Sequence, residues 1–231
     1  MRNPLAFHPS LLAVLREAVR GKAVSRTMTN LFWVGRDPLS GNLLDIGGGG
    51  GRASHYRFLP IVKEAKLQTV DVVARSGTDF VLDVSSESVP LPSASQDAVL
   101  LFNVLEHVNG HDKVLAEVHR LLRPGGRLLG TIPFLVNVHP DPHDFVRFTS
   151  EALQDLFTQN GFTILSIEPI GRGPFLAAYE QLDSLVPSLF HAILLPCVWL
   201  ADAVVARLRP RRNFPATFPL AYNFIVEKRV T

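Results

Sequence analysis

Five consecutive glycines, Gly47–Gly51, follow directly on the apolar run Asn42–Ile46 (NLLDI), and no other feature restricts the fold of this chain as much. Such a run has little structural purpose unless a ligand must approach the backbone closely. In an open α/β sheet that approach happens at the carboxyl ends of the strands. The rest of the chain keeps the same rhythm of strand and helix. Leu67–Val73, Phe80–Val84 and Asp97–Leu105 read as the second, third and fourth strands, the last apolar enough to be covered on both faces. Val114, Leu115, Val118, Leu121 and Leu122 mark a helix, stopped by Pro124-Gly125-Gly126. Arg127–Ile132 is a fifth strand. Glu151–Gln159 is a helix capped by Thr149 or Ser150 and closed by Asn160-Gly161. Phe162–Glu168 and Ala221–Lys228 are the sixth and seventh strands. This alternation predicts a doubly wound sheet.

The glycine turn alone admits two ligands. Gly48-x-Gly50-x-x-Ala53, with Asp71 about 20 residues further on, suits the looser dinucleotide fingerprint and so a nicotinamide-dependent oxidoreductase. Asp45, Gly47, Gly49 and Gly51 also spell D-x-G-x-G-x-G. Leu105-Glu106-His107-Val108 follows the fourth strand, and Leu122-Arg123-Pro124-Gly125-Gly126 precedes the fifth. Taken in order, these motifs resemble the class I S-adenosylmethionine-dependent methyltransferases of small-molecule type, over residues 42–170 and the final strand.

That resemblance implies a seven-stranded Rossmann-like sheet with an antiparallel last strand, and the sequence itself places an apolar helical insertion before that strand. It also implies S-adenosyl-L-methionine as cofactor. Asp45 would support the loop and the cofactor's amine, with Gly47, Gly49 and Gly51 giving the backbone room. Asp71 would hold the ribose hydroxyls, and Asp83, beside Val84, would lie near the adenine. Asn103 completes the expected cofactor-binding set. Ribose diols donate well to an ionised carboxylate, and such charge-assisted bonds are the stronger kind.

Methyl transfer needs alignment, exclusion of water and sometimes a base. Histidine near its usual pKa of roughly 6.5 suits a hydroxyl acceptor. Two clusters qualify: Glu106-His107 with Asn103 just before it, which otherwise orders the cofactor loop, and His139-Pro140-Asp141-Pro142-His143-Asp144. The candidate catalytic residues are His139 and His143, with His139 preferred for its earlier place. The bland alternative is a rigid loop in which Asp144 pairs Arg147 and Thr149 caps the next helix. No metal site is expected. Some members of the family bind a divalent cation through E-x-x-E-H, but Asn103 stands here where the first carboxylate would be.

Composition sets the outer limits. The chain has 231 residues, 47% of them hydrophobic, which suits one domain with a substantial core. Its expected parts are a helical cap (1–40), a cofactor-binding core (41–171), an apolar helical insertion (172–218) and the last strand (219–229). The single Cys197, read as a small apolar residue, excludes a disulfide scaffold or a thiolate cluster. A net charge of +2, with no dense basic and aromatic platform, argues against a nucleic-acid partner. Leu11, Leu12, Leu15 and Val19 form the stripe of an N-terminal amphipathic helix with Ser10 as its N-cap, followed too soon by charge for a signal peptide.

Residues 184–201 carry no Asp, Glu, Lys or Arg, and Arg207, Arg209, Arg211 and Arg212 follow. A span is disfavoured, because strands six and seven must share one sheet. A lid, a peripheral membrane contact or a homodimer contact remain. The expected enzyme is a cytoplasmic methyltransferase, peripheral at the inner membrane face if the insertion attaches, acting at oxygen of a small, lipophilic or lipid-linked acceptor. A non-catalytic cofactor-binding or membrane-adaptor protein is the remaining alternative.

Overall fold

The computed structural model describes residues 7, 9–49, 53–182 and 185–230. Seven strands form one sheet: β1 (Asn42–Ile46), β2 (Lys66–Asp71), β3 (Phe80–Val81), β4 (Gln96–Phe102), β5 (Leu122–Pro133), β6 (Phe162–Gly171) and β7 (Pro219–Lys228). Their order is β3-β2-β1-β4-β5-β7-β6. The first five are parallel, and β7 lies antiparallel between β5 and β6. Sequence order reverses between β1 and β4, so a crevice opens where the loops after these two strands part.

The central strands stay in place because their side chains have no better environment. Leu43, Leu44, Val99, Leu100 and Leu101 are fully buried. At about 1.5–3 kcal/mol per large apolar side chain, this burial holds β1 and β4 in the sheet. Helices α3 (His111–Leu121) and α4 (Ser150–Gln159) bury one face each, through Val114, Leu115, Val118 and Leu121 on α3 and Leu153 and Phe157 on α4. Thr149 is the residue that caps α4, its hydroxyl accepting from the Ala152 amide.

The chain divides into two compact units. One comprises 33–132, 138–167 and 223–231; it holds β1 to β4 and most of β5. The other comprises 1–32, 133–137 and 168–222. It contains α1 (Leu11–Ala18), α2 (Val24–Leu31), α5 (Pro174–Leu182), α6 (Ser188–Leu208) and α7 (Phe214–Thr217). Helix α6 is the apolar insertion, standing directly before α7 and β7.

Two local expectations need correction. The stripe on α1 is displaced: Val14, Glu17 and Ala18 are buried, whereas Leu12 and Val19 are exposed. Glu17 can turn inward because Arg20 reaches its carboxylate at 2.9 Å. Ser10 stands at the N-cap, yet its side chain makes no capping bond. Cys197, on α6, is exposed.

Candidate functional site

A cavity of about 590 Å³ opens at the ends of β1, β2 and β4, within the unit that holds them. Its floor is the glycine turn. Gly47 adopts φ +80°, a left-handed conformation, and a Cβ there would meet Val104 Cγ2 at 2.6 Å. Gly49 has φ +58° and donates its amide to Asp71 Oδ2 at 3.1 Å. The other Asp71 oxygen accepts from the Val73 amide at 3.0 Å, so one strand-end carboxylate braces both walls.

Beneath the turn lies Asp45, fully buried. Its Oδ2 accepts from His55 Nε2 at 2.8 Å and from the Tyr56 hydroxyl. Oδ1 has no hydrogen-bond partner among the described residues. Desolvation, with the adjacent Asp45 charge, pushes the Tyr56 phenol well above its ordinary range, so it remains a donor. Asp83 accepts from the Ser85 amide at 2.8 Å, and the Ser85 and Ser86 hydrogen bonds hold its carboxyl below the usual value.

The opposite wall comes from the segment after β4. Asn103 adopts φ +54°, a region that non-glycine residues enter at a cost of order 1–3 kcal/mol, and one that clusters at ligand sites. The conformation is held by its amide, which donates to the Thr131 carbonyl at 2.8 Å. A tight turn at Leu105–His107 follows.

The loop after β5 folds back onto this turn. Phe145 donates its amide to the Glu106 carbonyl at 2.8 Å, and His107 Nδ1–H donates to the His143 carbonyl. Asp144 forks onto Arg147 and accepts from the His139 amide at 2.9 Å. The guanidinium beside it holds the Asp144 carboxyl well below the usual range. The Asp144–Arg147 pair and the Thr149 cap read from the sequence are therefore present.

The expected residues separate clearly. Gly47, Gly49, Asp71, Asp83, Val84, Asn103 and His143 line the cavity. Asp45 does not; it supports the turn from below. His139 is not a lining residue either: its ring Nδ1 lies 3.6 Å from Asp144 Oδ2. Of the two histidines the geometry favours His143, against the preference for His139. Gly51 lies outside the described residues. Sequence reasoning gave no site role to Val72, Val73, Arg75 or Phe145, all of which line the cavity, as does His107 of the Glu106-His107 cluster. A signal existed for the two valines: both are exposed immediately after a strand-end acid, as an apolar seat for a flat ring would be.

Glu106, His107 and His139 each offer a ligand atom within 4.8 Å of the others, near enough to share a cation. Neither carboxyl oxygen of Glu106 has a hydrogen-bond partner among the described residues, and its side chain is fully buried. Burial pushes this carboxyl up to about 8. Without a cation beside it, the carboxyl is therefore mostly protonated at neutral pH.

Residues 44–130 match the family model described as a methyltransferase domain. A dimethylglycine N-methyltransferase from Parasynechococcus marenigrum is 35% identical over 143 residues, covering 55% of this chain and 50% of that protein. The chain spans about half the length of the curated relatives it matches most strongly. Among solved structures, a SAM-dependent methyltransferase from Archaeoglobus fulgidus superposes with a TM-score of 0.54 at 17% identity, covering 96% of each chain. The cyclase SpnF gives 0.55 at 17% identity, over 96% of this chain and 94% of its own. These likenesses concern the fold, and one fold hosts many chemistries.

Proposed function

We propose that the chain, whose residues 44–130 match a methyltransferase-domain model, is a class I S-adenosylmethionine-dependent methyltransferase that methylates oxygen of a small, lipophilic or lipid-linked acceptor. The observation that carries this reading is the cavity at the sheet's reversal point, where Asp71 and Asp83 stand on one side and Asn103 and His143 on the other.

The residues suit S-adenosylmethionine. Asp71 and Asp83 offer carboxylates to ribose hydroxyls and an adenine amino group, and Val72 and Val73 offer apolar surface to the ring. Gly47 and Gly49 let a ligand approach the main chain. Asp45 keeps one buried oxygen without a partner among the described residues, under the turn where an ammonium would lie. When bound, the cofactor supplies a methyl group activated by a sulfonium. The protein's tasks are to hold the acceptor oxygen in line, exclude water and take a proton from a hydroxyl acceptor. His143 is the proposed base, and His139 with Asp144 positions the loop that carries it. In this reading 1–231 works as one methyltransferase domain, with 172–218 as the insertion.

A lipophilic acceptor is supported by α6, which exposes Phe190, Ile193, Leu194, Leu200, Val204 and Leu208. Such an acceptor resides in a membrane, so the reading carries a peripheral position at the inner membrane face. Calorimetry with S-adenosylhomocysteine and with NADH tests the cofactor. Binding of the first alone is expected, and binding of NADH alone would overturn the reading. Methyl transfer from labelled S-adenosylmethionine into the organic phase of a lipid extract tests the acceptor. Label found only on water-soluble products would remove the lipophilic part.

A further inference from the structure

Helix α6 has its polarity reversed for a helix facing water. At about 100° per residue, His191, Leu195, Trp199 and Asp202 share one side, and all four are buried. Phe190, Ile193, Leu194, Leu200, Val204 and Leu208 fall on the other side, each at least 41% exposed. Monomeric surfaces rarely present an apolar stripe of this extent without a partner.

The helix cannot relieve the exposure by rotating. Asp202 accepts from the Phe175 and Leu176 amides at 3.0 Å each, capping the start of α5. The Arg172 guanidinium lies 4.2 Å from the centre of the Trp199 ring, and His191 is bonded to the Tyr179 hydroxyl. These polar contacts fix which side faces inward.

Charge selects the occupant. Arg207, Arg209, Arg211 and Arg212 are exposed at the carboxyl end of the stripe, and Leu208–Arg212 surround an open concavity of about 500 Å³. Between Asp202 and Glu227 the sequence contains no acid, and Asp202 itself faces inward. The same segment of a second copy would offer these cations no counter-charge. An anionic bilayer offers both an apolar layer and phosphates.

We propose that α6 lies in the surface of an anionic phospholipid bilayer, with its Phe190–Leu208 stripe in the acyl boundary and Arg207–Arg212 among the headgroup phosphates. It lies there and does not cross. The helix joins β6 to β7, neighbours in one sheet, and its inward side is tied by hydrogen bonds to α5. The proposal deepens the reading of a lipophilic acceptor but is independent of the transfer chemistry.

The test is co-sedimentation of the full chain with phosphatidylglycerol or phosphatidylcholine vesicles. Wild type is expected to pellet with the anionic vesicles and to be released by salt. Each Arg→Gln change at 209, 211 or 212 should weaken that partition about fivefold. The double variant Ile193→Glu, Leu200→Glu should abolish it while still binding S-adenosylhomocysteine as wild type does, which shows that it remains folded. Wild type left in the supernatant with anionic vesicles would overturn the proposal. So would a dimer, seen by light scattering, that the double variant converts to monomer without any vesicle binding. Vesicle binding by a chain that ignores S-adenosylhomocysteine would sink the methyltransferase reading and leave this one standing.

Discussion

His107 donates its Nδ1–H to the main-chain carbonyl of His143, tying the turn after β4 to the loop after β5 across 36 residues of sequence. The bond fixes the tautomer of His107 and sets the height of the His143 backbone over the cavity. The two residues therefore fail differently when removed. His143→Ala should lower kcat about a hundredfold or more if the imidazole is the base. His107→Ala loosens the loop and should act mainly on KM for the acceptor. His139→Ala should stay close to wild type, because His139 holds Asp144 through its main-chain amide, which the substitution keeps. Steady-state kinetics on all three checks this, and an intact kcat in His143→Ala would remove the base.

Glu117 gives a pH dependence that can be signed. Its Oε1 accepts from the Val89 amide at 2.7 Å, and Arg120 reaches both its oxygens as well as the Val89 and Leu91 carbonyls. The Arg120 hydrogen bond holds the Glu117 carboxyl below the usual value. A lowered acid contributes stability that is present above its unfolded pKa and is lost as pH falls through the folded one. Glu117→Gln should cost about 1–3 kcal/mol at neutral pH. Urea unfolding should show the gap to wild type closing as the pH is taken below about 4. A gap that stays constant with pH would refute the pairing.

The strands were readable because each is a short apolar run with turn residues at its ends. β5 shows the limit. Pairing begins at Leu122, where Gln96 faces it across a register shift, so the Pro124-Gly125-Gly126 turn is drawn into the strand. The glycines and strand-end acids of the site were equally readable, since Asp71 and Asp83 act on amides two residues away. The hydrogen bonds that join His107 to His143 and Phe145 to Glu106 were not. They depend on a loop folding back from beyond another strand, and no local spacing encodes that return. The same holds for α6, whose inward side is chosen by α5 amides more than 25 residues earlier.

Glu106 should behave as a neutral acid at physiological pH. Its folded pKa, raised by burial to about 8, lies above the unfolded value of roughly 4.3. The sign is then opposite to that of Glu117: the contribution is present below the unfolded pKa and is lost as pH rises through about 8. Melting temperatures measured from pH 6 to pH 9 should fall in wild type but not in Glu106→Gln, which mimics the protonated form. EDTA should leave both melting and turnover unchanged. A loss on chelation that manganese or zinc restores would mean that Glu106, His107 and His139 hold a cation.

Asp71 separates the two ligands the glycine turn allows. Its oxygens already accept from Gly49 and Val73, which leaves each with further lone-pair capacity toward the cavity. A charge-assisted hydrogen bond contributes about 1.5–3 kcal/mol. Asp71→Ala should therefore weaken S-adenosylhomocysteine binding about 10- to 100-fold by calorimetry. Asp71→Asn should recover part of this, because the amide still braces Gly49 but has lost the charge. Asp83→Ala should lose less, since Asp83 is held by hydrogen bonds from its own turn. If Asp71→Ala bound S-adenosylhomocysteine as tightly as wild type, the carboxylate would be only a brace for the turn. The ribose would then have to be held from another wall of the cavity.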